Sequence, residues 1–149
     1  MRIILALDPL SGSEEVVLRL AERSWPPGTI VLVLSVVRHL PPSAAELWFD
    51  AGGDIGVVRK LRRERARESA ARTAELLRTY GLAVEIMVLD GSLAKLIVDV
   101  AKRWAADLIL LAPDRRKIAR WMLSRITRAV LSHAPCSVEL FWHKEVATP

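Results

Sequence analysis

With 149 residues, 52% of them apolar, the chain is long enough to bury one core and short for two domains. No apolar run approaches the roughly 20 residues a membrane span requires, and Met1–Leu10 opens on a strand-like segment without the pattern of a cleavable signal, so a cytoplasmic protein is expected. The single cysteine, Cys136, excludes an intrachain disulfide and a cysteine metal cluster and reads as a core residue, while the net charge of +5 resides mostly in Arg59–Arg72 and Arg115–Arg128.

In chain order, "RIILAL" (Arg2–Leu7) is an apolar strand ending at Asp8, and a helix is expected from about Gly12 to Arg23, with Ser11 and Glu14 at capping-box spacing. "TIVLVLSVV" (Thr29–Val37) is apolar on both faces and must be covered on both sides, which argues for a central, mostly parallel sheet. The connection Arg38–Gly56 is too long to be plain loop, and Ser43 with Glu46 predicts a short helix in it. A helix over Val57–Tyr80 stops at Gly81; its interleaved Arg, Glu64 and Glu68 predict a solvated, salt-bridged face. There follow a strand at Ala83–Leu89, a helix at Ser92–Trp104, a strand at Asp107–Ala112, a helix at Arg116–Ser132 and a strand at Ser137–Trp142.

Strands alternating with helices give a single doubly wound α/β domain over residues 1–149. Ligands of such sheets bind beyond the carboxyl ends of the strands, where the strand order reverses. With the first and fourth strands adjacent, that crevice is lined by Asp8–Ser11 and Ala112–Lys117.

Three segments carry a resemblance: the opening "IILALD", the central "VLDGSLAKLIVDVAKRWAADLILLA", and the closing "RAVLSHAPCSVELF". Over nearly its whole length the chain resembles the universal stress protein family. The resemblance implies a five-stranded parallel sheet of order 3-2-1-4-5 with helices on both faces, of the adenine nucleotide alpha hydrolase-like type. It also implies a homodimer and, in many members, ATP or a related nucleotide at the switch point.

Nucleotide-binding members carry Gly-x2-Gly-x9-Gly-(Ser/Thr) after the fourth strand. Mapped here, the first glycine falls on Ala112, the second on Asp114 or Arg115, the third on Ser124, and the hydroxyl residue on Arg125. Glycines let successive backbone N–H groups converge on phosphate, and side chains at those positions fill the space it needs. Asp8 matches the family's adenosine-side acid, and Val36 and Thr127 match other lining positions. The sequence is therefore similar to the class that lacks the glycine motif, and no cofactor is expected. In the alternative, an adenine nucleotide (ATP, ADP or AMP) is held by Asp8, Arg115, Arg125 and Thr127, with arginine forks replacing the glycine backbone. The cluster Arg115, Arg116, Lys117 and Arg120 near a helix start opposes the helix dipole and suits an anion or an acidic partner, the plainer reading being a solvated turn.

Catalysis is not expected. Asp8 lacks the second acid of aspartyl phosphatases, since Leu10 stands there, and Asp90 follows an edge strand away from Asp8, unlike a receiver acceptor. His39, His133 and His143 lack metal-ligand spacing, His133 reading as a structural turn residue; neither a nucleophile elbow nor a Gly-Lys-Thr phosphate loop is present. Nucleic-acid binding is disfavoured by the interleaved acids and the missing motif. Trp48, Phe49, Trp121 and Trp142 are expected at the surface, Trp25 and Trp104 as caps on the core. The family's last strand commonly pairs across the dimer, which points to Val138, Leu140, Phe141 and Trp142, with intramolecular packing as the alternative for Phe141 and Trp142. The reading is a non-enzymatic, homodimeric regulatory or interaction module.

Overall fold

The computed structural model describes residues 1–7, 14–37, 52–111 and 120–141, residues 120–124 by backbone alone. Five strands and, among the described residues, four helices alternate: β1 (Arg2–Leu7), α1 (Glu14–Glu22), β2 (Ile30–Val37), α2 (Ile55–Thr79), β3 (Ala83–Asp90), α3 (Leu93–Trp104), β4 (Leu108–Leu111), α4 (Arg120–His133) and β5 (Ser137–Leu140). All neighbouring strands are parallel and the sheet order is β3-β2-β1-β4-β5. β1 is flanked by β2, in register from Arg2↔Ile30 to Leu7↔Ser35, and by β4, from Ile3↔Leu108 to Ala6↔Leu111.

Period-two alternation divides the central strands between two layers. Ile3, Leu5 and Leu7 of β1 and Val31 and Val33 of β2 pack with Val17 and Leu20 of α1 and with Ala70, Ala74 and Leu77 of α2. Ile4, Ala6, Leu32, Leu34 and Val36 point the other way, onto Ile97, Val100 and Ala101 of α3 and Val130 of α4. Burial of each such Ile or Leu contributes roughly 1.5–3 kcal/mol, so both faces of β1 and β2 had to be apolar. Trp25 and Trp104 pack at the margins of these layers as expected; the Trp25 indole N–H donates to the Leu20 carbonyl at 2.8 Å. The amino edge of the sheet is tied by Arg2: its backbone N–H donates to Asp107 Oδ2 at 2.7 Å, and its guanidinium donates to the Trp104 carbonyl at 2.7 Å while lying 5.3 Å from the Trp104 ring.

Helix boundaries differ from the sequence reading in instructive ways. α2 begins two residues early because the Asp54 side chain accepts from the Gly56 N–H at 2.8 Å, so a glycine expected in a turn is helical. The amino half of α2 carries no buried side chain before Ala66; from there Ala66, Ala70 and Ala74 are small enough to let the helix lie close to the sheet. α3 stops at Ala105, in the left-handed region at φ 54°, with the Ala106 N–H returning to the Ala101 carbonyl at 2.9 Å. The short helix expected near Ser43 and the start expected for the last helix at Arg116 lie outside the described residues. No helix among the described residues is long and apolar enough to cross a membrane.

Candidate functional site at the carboxyl edge of the sheet

The strand order reverses between β1 and β4, so the crevice of a doubly wound sheet opens beyond Leu7 and Leu111. Asp8, Ala112 and Arg115 lie outside the described residues. Val36 is in place at the end of β2 but is only 2% exposed, packed in the layer of Ala6, Leu34 and Leu111. Ser124, Arg125 and Thr127 all belong to α4, Arg125 exposed and Thr127 half-buried.

The position of Ser124 has a chemical consequence. In an α-helix the first four N–H groups are free and later ones bond to the carbonyl four residues back. α4 is described as helix from Arg120 onward, four residues before Ser124, so the Ser124 and Arg125 amides fall beyond a free first turn. They offer an approaching anion no unbonded backbone donors, and the Arg125 side chain is the group that reaches solvent.

Two residues near this edge have environments that the sequence reading did not anticipate. Ser35 lies in the apolar run of β2, beside Leu7 and Val88, fully buried, its Oγ without a hydrogen-bond partner among the described residues. A lone hydroxyl among β-branched residues was its only signal. Asp90, at the carboxyl end of β3, accepts from Arg63 of α2 at 2.7 Å and pins the helix to the strand. That pair corrects the expectation of a salt-bridged face on α2: no described residue forms an ion pair with Glu64 or Glu68, and the helix's arginine reaches across to the sheet instead. Gly91 follows at φ 145°, its N–H donating to the Val37 carbonyl at 3.0 Å, so the glycine after the third strand serves a backbone turn.

At the other edge, β5 pairs with β4 alone among the described residues, and Val138 and Leu140 are half-buried. Phe141 is 8% exposed and belongs to the layer under α1 and α2, so intramolecular packing describes it; Trp142 lies outside the described residues. His133, at the end of α4, places Nδ1 2.9 Å from the Ala129 carbonyl, a local contact. Cys136 is partly buried against the α3/α4 layer, and burial, then the charge of Asp107, pushes its thiol pKa up.

None of the curated proteins compared matches the chain. Among solved structures, hypothetical protein MJ0577 is 17% identical with a TM-score of 0.75, covering 97% of this chain and 96% of that one. Universal stress protein UspA from Lactobacillus plantarum is 18% identical with a TM-score of 0.69, covering 95% and 97%. The universal stress protein from Archaeoglobus fulgidus in complex with dAMP is 21% identical with a TM-score of 0.61, covering 94% and 96%. At these identities the likeness is one of fold. The sequence model of the Universal stress protein family matches residues 1–140, nearly all of the sheet and its helices, and the chain accordingly belongs to the universal stress protein family.

Proposed function

We propose that the chain is a non-enzymatic regulatory or interaction module of the universal stress type, homodimeric, that does not hold ATP in the usual way. The observation that carries this reading is the place of Ser124 and Arg125 inside α4, beyond its free first turn. A phosphate cradle needs unbonded N–H groups and bare glycine backbone, and here the matching positions carry side chains on hydrogen-bonded helix. Ala112, and Asp114 or Arg115, add side chains at the two further positions of the pattern. The singly paired β5 supports a dimer through Val138 and Leu140, with Trp142 continuing the same segment in sequence and Phe141 left to its own core.

A second reading has two observations in its favour. A relative of the same fold holds dAMP, and Arg125 is exposed, as a side chain replacing backbone donors would need to be. In that reading Asp8, Arg115, Arg125 and Thr127 hold an adenine nucleotide and the module is a nucleotide-dependent switch.

Native mass spectrometry of the full chain, with and without ATP and magnesium, separates the two. A dimer without added mass is the expected result. One nucleotide per subunit, lost in Arg125→Ala, establishes the switch, and a monomer at micromolar concentration refutes the dimer.

A further inference from the structure

β3 is the outermost strand on its side of the sheet, and its backbone shows which groups it leaves open. The Gly91 N–H donates to the Val37 carbonyl at 3.0 Å, and in a parallel ladder alternate residues of a strand turn both backbone groups to the same neighbour. Residues 83, 85, 87 and 89 therefore face β2, while Val84, Ile86, Val88 and Asp90 turn their N–H and C=O groups outward. One of these outward carbonyls, that of Val84, accepts from the Arg78 guanidinium at 2.9 Å; the others have no partner among the described residues. The open row from Val84 to Asp90 is roughly 20 Å long. Its middle is lightly guarded among the described residues: β3 carries neither proline nor lysine, and the side chain at its centre, Ile86, is 40% exposed.

Beside this edge runs one flank of α2. Arg63 and Arg78 both reach β3, through Asp90 and the Val84 carbonyl. At helical spacing, Lys60 and Arg67 stand one turn from Arg63 on the same flank, and both are exposed. The amino half of the helix is strongly basic: Arg59, Lys60, Arg62, Arg63, Arg65 and Arg67 against the single acid Glu64. Glu85 projects to the opposite face of β3, with Met87 and Leu89.

We propose that the outer edge of β3 and the basic flank of α2 form a groove for an extended acidic segment of a partner protein, which joins the sheet as a sixth strand. Backbone pairing with Ile86 and Val88 supplies affinity without regard to sequence. Specificity comes from the two faces of the added strand. Acids on the α2 side meet Lys60 and Arg67, their aliphatic stems covering Ile86; apolar residues on the other side lie by Met87 and Leu89 and keep carboxylates away from Glu85. The partner segment therefore alternates acidic and apolar residues. A second copy of this chain fits poorly, because antiparallel β3–β3 pairing places the two α2 helices on the same face and sets Lys60 and Arg67 against their like. The groove is two strands from the β1/β4 switch point, so the proposal stands or falls independently of whether a nucleotide is held there.

The test uses the full isotope-labelled chain and a capped peptide, Glu-Val-Glu-Val-Glu-Val-Glu, with Lys-Val-Lys-Val-Lys-Val-Lys as control. Amide shifts are expected to concentrate at Ile86, Val88 and Asp90 and to spare their bonded neighbours. Lys60→Glu with Arg67→Glu, both on an exposed helix face, should weaken binding about tenfold or more. Ile86→Pro removes an outward N–H without touching the β2 ladder and should abolish binding; if that variant does not fold, the charge reversal decides alone. Equal binding of the basic peptide, shifts clustered around α4, or no shift at millimolar peptide overturns the proposal. So does self-association that doubles the mass and is lost in Ile86→Pro.

Discussion

Ser35 offers a test of the core in which removing a polar atom should stabilise the protein. Its side chain is fully buried between Leu7 and Val88, and its Oγ has no hydrogen-bond partner among the described residues. A buried hydroxyl in that state carries a desolvation penalty of about 1–3 kcal/mol. Ser35→Ala removes the penalty and leaves a space smaller than a methylene, whose cost at about 24 cal/mol per Å³ is a few tenths of a kcal/mol. The expected balance is a gain of about 1 kcal/mol, or roughly 2–4 °C in Tm for a domain of this size. Thermal and urea unfolding followed by circular dichroism measure it, and the urea slope should stay constant, since the surface exposed on unfolding hardly changes. Ser35→Val provides the contrast: it adds carbon to a filled site and should destabilise by about 1–3 kcal/mol. A loss of about 1 kcal/mol or more in Ser35→Ala would show that the hydroxyl is bonded in solution, and the reasoning would fail.

Gly91→Ala should cost about 1–3 kcal/mol, because φ is 145° and an added Cβ would stand 3.1 Å from Leu96 Cδ1; an unchanged urea midpoint counts against it. The Arg63–Asp90 pair is short, but its side chains are 44% and 42% exposed, so a double-mutant cycle should give no more than about 1 kcal/mol, shrinking with added salt. The Cys136 thiol, held above its ordinary pKa by burial and then by Asp107, should react slowly with iodoacetamide at neutral pH. Its rate profile should turn up at higher pH than that of a free thiol, and Asp107→Asn should bring the turn partly back down; a midpoint at or below the free-thiol value would contradict the assignment.

The parts of the fold legible in the sequence were those governed by periodicity. β1 and β2 are apolar at every buried position because helices cover both faces, and that pattern alone implied a central parallel sheet. Strand order came from the family resemblance, since no local feature of β3 or β4 says which neighbour it will take. Boundaries set by one side chain were harder to see. Asp54 extends α2 across a glycine, and Arg63 leaves its own helix for Asp90, a residue 27 positions away, where helical spacing pointed to Glu64 and Glu68. Of the seven candidate site residues, Val36, Ser124, Arg125 and Thr127 lie in described elements; Val36 is buried by the sheet packing, while the place of the other three within the helix depends on the course of α4 ahead of them, which composition does not encode.

The two candidate surfaces answer to different physics. At the switch point a phosphate needs free backbone N–H groups, and those of Ser124 and Arg125 lie within α4; side chains can replace them only by reaching in, as Arg125 would have to. At the β3 edge alternate backbone groups already face outward, and in the proposed groove the side chains of α2 would select what pairs with them. A likeness at 17–21% identity is one of fold, and a fold leaves the chemistry of its sites free to differ. Within one architecture, then, the groups offered at the switch point and the charge carried by α2 can change separately, and neither change disturbs the strand order between them. Exchanging Ser124 and Arg125 for Gly-Ser alone should therefore fail to confer ATP binding, because the amides would still be spent inside the helix; uptake of ATP by that variant in native mass spectrometry would refute the argument.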